Sequence, residues 1–409
     1  MFIEVKTKQL SKTGEELCGD SIGRLRDVNE TVLVLADGLG SGVKANILST
    51  LTEKIALKLF KENLPIDDIV ETIASTLPTC KVRHMAYSTF TIVRIKNDGE
   101  TDIVEFDNPR CFIFRGATVL NPEYEVKSIK GIELSRLRLK LEKEDSIILV
   151  SDGVTNSSLA GNGKEWSRTE LLKFVQDMLI RGFEPVKIAE SIIQKVKTNF
   201  NNHIRDDASV AVVKCRDFRD VVLAIGTPSD RSNDTELAGR FASLPGKKII
   251  SGGTLSKIIA RELNRELVLD SDPASVPADV PPGSSMDGAD LVTEGIITLM
   301  HAIDEYDRVP YYEPRKEVMD IAYLYSNKRM GAKPARLSTT AEEEKLSPAK
   351  QLAEILRKAD RVTILHGQGL NKASTGEDTP VEMGLKSHLV QHLAGKLRDN
   401  SVDVIIEYY

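Results

Sequence analysis

The sequence predicts a mixed α and β protein with two parts, an α+β N-terminal half followed by an α/β half built on a parallel sheet. In the first half, apolar β-branched runs such as residues 32–35 are separated by segments with helical spacing of apolar residues. Two of these runs end on Asp-Gly. After Cys215, strands that end on glycine alternate with helices, which is typical of a parallel sheet with right-handed crossovers. We therefore divide the chain into domains 1–216 and 217–409.

Composition narrows the class of function. A chain of 409 residues is long enough for two or three domains, and its formal net charge of −6 offers no basic surface for nucleic acid. No apolar run reaches the length of a membrane span, and the first residues lack the features of a signal peptide. The four cysteines form no CxxC pair, so reduced thiols are the simplest interpretation. We expect a cytoplasmic protein with no nucleic-acid or membrane partner.

The first half reads as strands and helices in a clear order. Ser167 and Glu170 form a capping-box pattern at the start of one helix. The predicted elements are an edge strand at 2–8, a loop at 11–21, a strand ending at Asp37, helices at 45–60 and 66–77, strands at 87–95, 101–107, 111–115, 137–141 and 146–151, helices at 168–181 and 184–199, and a strand at 210–213.

The stretch around Asp37 carries the strongest chemical signal. A buried strand stops at this carboxylate, and glycines occupy positions 38, 40 and 42. The sheet would hold the carboxylate in place, while the glycines would let a ligand approach the backbone. Such an oxygen-rich, open position suits Mg²⁺ or Mn²⁺. An ordinary Asp-Gly hairpin turn explains this motif equally well when it is considered alone.

Recurrence of the motif favours the metal interpretation. Asp20 follows Gly19, Asp152 follows a second apolar strand, and Asp206-Asp207 precedes a third. Four acidic sites at strand ends exceed what chance turns usually supply. If they converge, they form an all-oxygen pocket for two cations that share one carboxylate.

The ordered set 19–20, 36–42, 151–153 and 206–209 resembles the PPM family of metal-dependent Ser/Thr phosphatases, in particular its bacterial stage-II-sporulation-E branch. The resemblance covers residues 1–216. It implies an α-β-β-α sandwich and a centre of two Mn²⁺ or Mg²⁺ ions, whose bridged water attacks phosphoserine or phosphothreonine. It also implies a phosphorylated regulatory protein as substrate, similar to an anti-sigma-factor antagonist.

The resemblance assigns roles residue by residue. Asp37 would bridge both metals, and the Gly38 carbonyl would complete one site. Asp152 and Asp206 would hold the second ion, and Asp20 would orient metal-bound waters. Asp207 is either a further ligand or a turn residue that bonds its own backbone, and the sequence leaves both open.

Other candidates remain unresolved. Arg24, Arg26 or Arg83 could grip phosphate, and His84 or His203 could protonate the leaving oxygen, but exposed arginines and lone histidines are common. The sequence also departs from the family pattern at 86–91, where no acid occurs, so we expect no extra metal ligand there.

The second half predicts a Rossmann-like domain with a regulatory or ligand-sensing role. Gly226, Gly252-Gly253 and Gly367 would gather at the sheet edge where such folds bind ligands. Residues 251–254 suggest a small anion at a helix start, although Thr254 acting as a simple helix cap is favoured two to one. The predicted elements are strands at 221–226, 248–254, 266–270, 361–367 and 402–406, helices at 233–244, 255–264, 289–306 and 348–358, and connections at 270–288, 328–347 and 367–379.

These patterns support three functions to different degrees. A phosphoprotein phosphatase is favoured. A catalytically silent relative that keeps the fold to bind a partner is the alternative, although the intact acidic set argues against it. Phosphatase activity on a small molecule also stays open, because metal chemistry does not depend on what carries the phosphate.

Overall fold

The structure is a computed structural model that describes residues 1–76, 88–129, 132–157, 166–269, 284–307, 346–369, 379–400 and 402–409. The chain divides into two compact units, Met1–Phe218 and Arg219–Tyr409. Each unit has its own hydrophobic clusters. Arg83, His84, Cys80 and the acid-free positions 86–87 lie outside the described residues.

The first unit contains eleven labelled strands and five helices among its described residues. They are β1 (Phe2–Leu10), β2 (Asp20–Arg26), β3 (Glu30–Gly38), α1 (Gly42–Lys61), α2 (Ile66–Thr76), β4 (Ser88–Lys96), β5 (Glu100–Phe106), β6 (Phe112–Arg115), β7 (Thr118–Leu120), β8 (Glu125–Ile129), β9 (Ile132–Lys140), β10 (Asp145–Val150), α3 (Asp152–Thr155), α4 (Arg168–Ile180), α5 (Pro185–Asn199) and β11 (Ala208–Arg216).

Two antiparallel sheets form the centre of this unit. One has the order β1-β11-β10-β6-β7 and the other β2-β3-β4-β5-β9-β8. Alternation along β3 explains the layering, because Leu33 and Leu35 join the cluster between the sheets while Val32 and Val34 face α1 and α2. Helices α4 and α5 cover the outer face of the other sheet. The layers are therefore helices, sheet, sheet and helices.

Most elements of the first unit lie where the sequence predicts them, with ends shifted by a few residues. The capping box at Ser167 and Glu170 is confirmed. The loop prediction at 11–21 is wrong at its end, since β2 begins at Asp20. This strand is hard to recognise because Gly23 interrupts it, and that glycine is needed where the buried Glu53 side chain packs against the strand.

The second unit contains β12 (Asp220–Ile225), α6 (Asp234–Ser243), β13 (Lys247–Ser251), α7 (Gly253–Glu262), β14 (Leu267–Leu269), β15 (Ser284–Met286), β16 (Ala289–Thr293), α8 (Ile296–Asp307), α9 (Pro348–Lys358), β17 (Arg361–His366), α10 (Thr379–Asp399) and β18 (Asp403–Tyr408). Its sheet has the order β14-β15-β16-β13-β12-β17-β18. The pairs β16–β13, β13–β12, β12–β17 and β17–β18 are parallel, whereas β14–β15 and β15–β16 are antiparallel. Helices cover both faces of the sheet. The Rossmann-like assignment itself stays a prediction.

Two expectations for this unit are wrong. The helix predicted over 289–306 begins only at Ile296, because residues Ala289–Thr293 form β16 and pair with β13. Gly295, with φ +137, separates the strand from the helix. The connection predicted over 270–288 is wrong near its end, because Ser284–Met286 forms β15 and pairs with β16. Helix α10 occupies a segment for which no element was predicted. Most of the three predicted connections lies outside the described residues. No described helix is long and apolar enough to cross a membrane.

Candidate metal centre

Asp20 and Asp37 are neighbours on paired strands. The β2–β3 register places Asp20 opposite Asp37, at the end of the sheet where β3 stops. The Gly38 amide donates to the Gly19 carbonyl at 3.2 Å. A Cβ at Gly38 would lie 2.0 Å from the Ala45 carbonyl oxygen, so only glycine lets α1 pack this closely after the strand.

Asp152 and Asp206 are supplied by the other sheet. Asp152 begins α3 directly after β10, and Asp206 precedes β11, the neighbour of β10. Two hydrogen bonds fix these strand ends together: the Ser151 amide donates to the Ser209 carbonyl at 3.0 Å, and the Ser209 amide donates to the Ser151 hydroxyl at 2.9 Å. Gly153 is required here too, since a Cβ would lie 2.0 Å from the Asp207 carbonyl oxygen.

The four predicted acids interact electrostatically. Burial, together with the charges of Asp20, Asp152 and Asp206, raises the pKa of Asp37 to about 9. Burial also raises the pKa of Asp206, with Asp152 as the next cause. The structure thus brings together, from both sheets, carboxylates separated by long stretches of sequence.

Asp20 is the most deeply buried member of this group, at 3% exposure. Its pKa is raised to about 6, because burial outweighs the lowering by the Ser209 and Ser151 hydroxyls. Neither hydroxyl lies in hydrogen-bond geometry to Asp20, and both Asp20 carboxylate oxygens are buried without a hydrogen-bond partner. An unpartnered buried carboxylate is costly unless a cation or donor satisfies it.

These residues fit hydrated hard cations better than a closed protein cage. Crowded carboxylates with unpartnered oxygens favour a divalent cation, which would offset their repulsion. Within the part of the chain that the structure describes, no three His, Cys, Asp or Glu side chains are arranged to hold an ion by themselves. Backbone carbonyl oxygens and water would therefore have to supply further ligands, as is usual for Mg²⁺.

Asp207 has a structural role that neither sequence alternative anticipated. Its Oδ1 accepts a hydrogen bond from the Lys12 amide at 3.0 Å, so it fixes the loop before β2 and does not bond its own backbone. Its Oδ2 is buried without a partner, and a Cβ at Gly19 would lie 2.7 Å from it. A direct metal contact by Asp207 stays a prediction.

Sequence reasoning missed two charged residues near the centre. Burial raises the pKa of Asp152, and the charge of Asp107, which follows β5 much as Asp37 ends β3, adds to this rise. Burial raises the pKa of Asp206, and the charge of Lys12 offsets a small part of that rise; Lys12 Nζ donates to the Ser41 hydroxyl at 3.4 Å. The available signal was the position of Asp107 as the last residue of the strand predicted over 101–107, before the turn at Asn108-Pro109.

The structure adds little support for the residues predicted to bind phosphate or to protonate the leaving oxygen. Arg24 and His203 are exposed. Arg26 donates to the Ile3 carbonyl, which commits its guanidinium to the β1 backbone.

At the glycine-rich start of α7 in the second unit, the backbone amides of Gly252 and Gly253 already have hydrogen-bond partners. The Gly252 amide donates to the Thr293 carbonyl at 2.9 Å, and the Gly253 amide donates to the Glu294 carbonyl at 3.2 Å. Gly252 occupies the cap position, so the expected cap at Thr254 is wrong. Two amides that an anion would use are therefore engaged by the protein.

Comparison with known protein families finds a match within the first unit. Residues 27–216 match the family model described as Stage II sporulation protein E (SpoIIE). This segment belongs to the SpoIIE family. The SpoIIE domain thus covers β3 to β11, including Asp37, Asp152 and Asp206, and Asp20 lies just before it.

Two curated proteins of Bacillus subtilis (strain 168) are similar in sequence to the region that contains the SpoIIE domain. Stage II sporulation protein E is 22% identical over 234 residues, which cover 56% of this chain and 27% of that protein. Phosphoserine phosphatase RsbX is 38% identical over 71 residues, which cover 17% of this chain and 33% of RsbX. The chain thus spans about a third or less of the length of these relatives.

Solved structures give weaker likenesses. The phosphatase domain of SpoIIE from Bacillus subtilis, in a crystal form without domain swapping, is 21% identical with a TM-score of 0.41, covering 52% of this chain and 92% of that domain. RsbX in complex with magnesium is 20% identical with a TM-score of 0.38, covering 52% of this chain and 94% of RsbX.

Proposed function

We propose that the SpoIIE domain is a metal-dependent phosphatase that hydrolyses phosphoserine or phosphothreonine on a bacterial regulatory protein. The main support is the Asp37 carboxylate, whose pKa is raised to about 9 by burial together with the charges of Asp20, Asp152 and Asp206. Carboxylates crowded in this way are unfavourable without cations and useful with them. The family match and the relative named phosphoserine phosphatase point in the same direction.

Each residue has a definite part in this proposal. Two Mn²⁺ or Mg²⁺ ions would supply a water of lowered pKa and neutralise charge on the transferring phosphoryl group. Asp37 would bind both ions, with the Gly38 carbonyl on one side and Asp152 and Asp206 on the other. Asp20, buried behind this group, would accept hydrogen bonds from bound waters and so orient them. The hydrogen bonds between Ser151 and Ser209 join β10 to β11 and would hold Asp152 and Asp206 in position.

The proposed substrate is a phosphorylated regulatory protein similar to an anti-sigma-factor antagonist. This part of the proposal rests on the resemblance of residues 1–216 to the stage-II-sporulation-E branch of phosphatases. The chemistry of the site acts on a phosphomonoester in general, so substrate choice must come from surfaces beyond the carboxylates.

Metal-stimulated hydrolysis of p-nitrophenyl phosphate and of a phosphoserine peptide tests the proposal. We expect turnover with Mn²⁺ or Mg²⁺, none with EDTA, and a loss of about 1000-fold in Asp37→Asn. Asp98→Asn is the matched control, because Asp98 lies in an exposed hairpin turn and asparagine keeps the oxygen that accepts from the Glu100 amide. Absence of metal-stimulated turnover would support the silent partner-binding alternative, and full activity in Asp37→Asn would contradict catalysis at these carboxylates.

We also propose that the second unit regulates the SpoIIE domain, as a sensor or docking domain. Among its described residues no buried carboxylate oxygen lacks a hydrogen-bond partner, in contrast to Asp20 of the first unit. The first unit, Met1–Phe218, has separate clusters on both faces of its two sheets, so a chain ending at Phe218 should fold. If that truncation leaves activity, ligand response and partner choice all unchanged, the regulatory role is excluded.

A further inference from the structure

A cleft of about 240 Å³ lies in the first unit at the end of β5. Its walls come from the β5 end and the following loop, from β9, and from β8. The lining residues that matter for its chemistry are Glu105, Asp107, Arg110, Glu133 and Ser135. We name this feature the Glu105 cleft.

One wall of the Glu105 cleft contains the buried Glu105 carboxylate, and one of its oxygens accepts no hydrogen bond. Glu105 is only 2% exposed, and its Oε1 accepts from the Cys111 amide at 2.7 Å. Its Oε2 is buried and has no hydrogen-bond partner. Buried acceptors are normally satisfied, so an unpaired oxygen in the wall of a cleft indicates a donor that arrives with a ligand.

The balance of charge around the cleft favours a cationic donor. Three acids, Glu105, Asp107 and Glu133, line it against one base, Arg110. The Arg110 guanidinium lies over the Tyr124 ring at 4.7 Å from the centroid, which places it against the wall. A second cation nearby, Arg168, donates to the Cys111 carbonyl at 2.9 Å.

The strand register fixes how far this cleft lies from the carboxylate centre. Asp37 is opposite Thr89 on β4, Phe90 is opposite Phe106 on β5, and Glu105 is opposite Ser135 on β9. The cleft is therefore two to three strands from Asp37 along one edge of the sheet. Strands are spaced by about 4.8 Å, so the separation is roughly 10–15 Å, and an extended peptide covers it in about three or four residues.

We propose that the Glu105 cleft binds a lysine or arginine side chain of the phosphoprotein substrate, three or four residues from the phosphorylated serine or threonine. This inference rests on the proposed phosphatase function and adds substrate selection to it. The Glu105 and Glu133 carboxylates would accept hydrogen bonds from the cation, and Ser135 would add a polar contact at the wall.

Phosphoserine peptides that carry lysine, alanine or glutamate at positions −4, −3, +3 and +4 test this assignment on the full chain with Mn²⁺. Both kcat/KM and binding, the latter by fluorescence anisotropy, should favour lysine about tenfold or more over alanine at one of these positions. Glutamate should be the poorest residue at that position.

The variants Glu105→Gln and Glu133→Gln should bring the lysine-to-alanine ratio towards one. Glutamine at position 105 keeps the acceptor for the Cys111 amide, and Glu133 is exposed, so at least one variant should fold. Glu125→Gln is the matched control, since Glu125 is an exposed acid on β8 outside the cleft and its loss should leave the ratio unchanged.

Equal rates and equal binding for lysine and alanine peptides at all four positions would overturn the assignment. A preference for glutamate would overturn it too, because Arg110 would then dominate the cleft. Lysine-selective binding without any turnover of peptide or p-nitrophenyl phosphate would contradict the proposed function while leaving the cleft assignment standing.

Discussion

The two units use glycine at strand ends in opposite ways. In the first unit, Gly38 and Gly153 allow backbone to pack closely, while buried carboxylate oxygens of Asp20 and Asp207 at the same site have no hydrogen-bond partner. In the second unit, Gly226 and Gly367 pack against each other, and the Gly367 amide donates to the Ile225 carbonyl at 2.9 Å. The amides of Gly252 and Gly253 are occupied as well.

This difference teaches that glycine at a strand end is weak evidence for a ligand. What separates the two sheet edges is unsatisfied charge, because buried carboxylates without partners need a cation whereas paired amides need nothing further. We therefore expect substitutions at this sheet edge of the first unit (the first edge) to alter catalysis. Substitutions at the corresponding sheet edge of the second unit (the second edge) should alter only stability or regulation.

The largest expected effect is a difference in turnover between a variant at the first edge and a variant at the second edge. Asp152→Asn should lower metal-dependent turnover of p-nitrophenyl phosphate by about 1000-fold, roughly 4 kcal/mol in the barrier, because the second cation would lose a ligand. Ser251→Ala, at the second edge, should change turnover less than about twofold, because its hydroxyl only donates to the Gly295 carbonyl at 3.4 Å. Comparable losses in both variants would contradict the division of roles.

The next effect concerns pH and cations together. In cation-free protein the folded state keeps a proton on Asp37 up to about pH 9 and on Asp20 up to about pH 6, whereas the unfolded chain releases both near the usual value of 3.8. Stability should therefore fall as pH rises from about 4 through those values. Mg²⁺ should reduce this fall, since binding at 100 times Kd adds about 2.7 kcal/mol.

Thermal unfolding followed by Trp166 fluorescence measures this effect, with EDTA or Mg²⁺ across pH 5 to 9. Trp166 is the only tryptophan of the chain and is buried at 4% exposure within the first unit, so its signal reports on that unit. The Asp37→Asn variant should show a weaker fall with pH in EDTA. A pH profile that is the same with and without Mg²⁺ would argue against a cation at these carboxylates.

A smaller effect tests the packing role of glycine in the second unit. Gly226→Ala should destabilise this unit by about 1–3 kcal/mol, because Gly226 has φ +77 and a Cβ would lie 2.2 Å from the Gly367 carbonyl oxygen. Urea unfolding monitored by circular dichroism would measure the loss. Turnover per folded molecule should stay at the wild-type level, and a large fall would show that the second edge supports catalysis.

The smallest effect compares helix caps in the two units. Ser167→Ala should cost about 1 kcal/mol, because Ser167 and Glu170 cap each other's backbone at the start of α4. Ser347→Ala should cost about half as much, since the Ser347 hydroxyl makes only a 3.4 Å bond from the Lys350 amide and has no reciprocal partner. Urea titrations of the two variants would measure both values.

Sequence predicted the elements with strong periodicity and the acids that follow them. Strands β3, β10 and β11 and helices α1, α4 and α5 could be located because apolar spacing and the Ser167 cap are local signals. Strand β16 was misread because residues 289–293 form a short segment that runs into a helical pattern, and only its pairing with β13 identifies it as a strand. Pairing between distant segments is not visible in local spacing.

The same limit applied to the candidate site. Asp37 and Asp152 could be named from strand ends, but the unpaired Glu105 oxygen and the anchoring of Lys12 by Asp207 depend on three-dimensional contacts. Glu105 lies within a predicted strand, where an alternating acid normally indicates a solvent-facing side. Its burial arises from the loop after β5, which folds back so that the Cys111 amide reaches the carboxylate.

The pairing of β1 with β11 has a consequence for biosynthesis. These strands align from Phe2 opposite Arg216 to Leu10 opposite Ala208, and the Gln9 side chain bonds Ser209, 200 positions away. A ribosome adds about 5–20 residues per second, so the first strand waits roughly 10–40 s for its partner. During that interval its edge is open to wrong pairing, and a chaperone that shields it should raise the yield of folded protein more than one that acts after release.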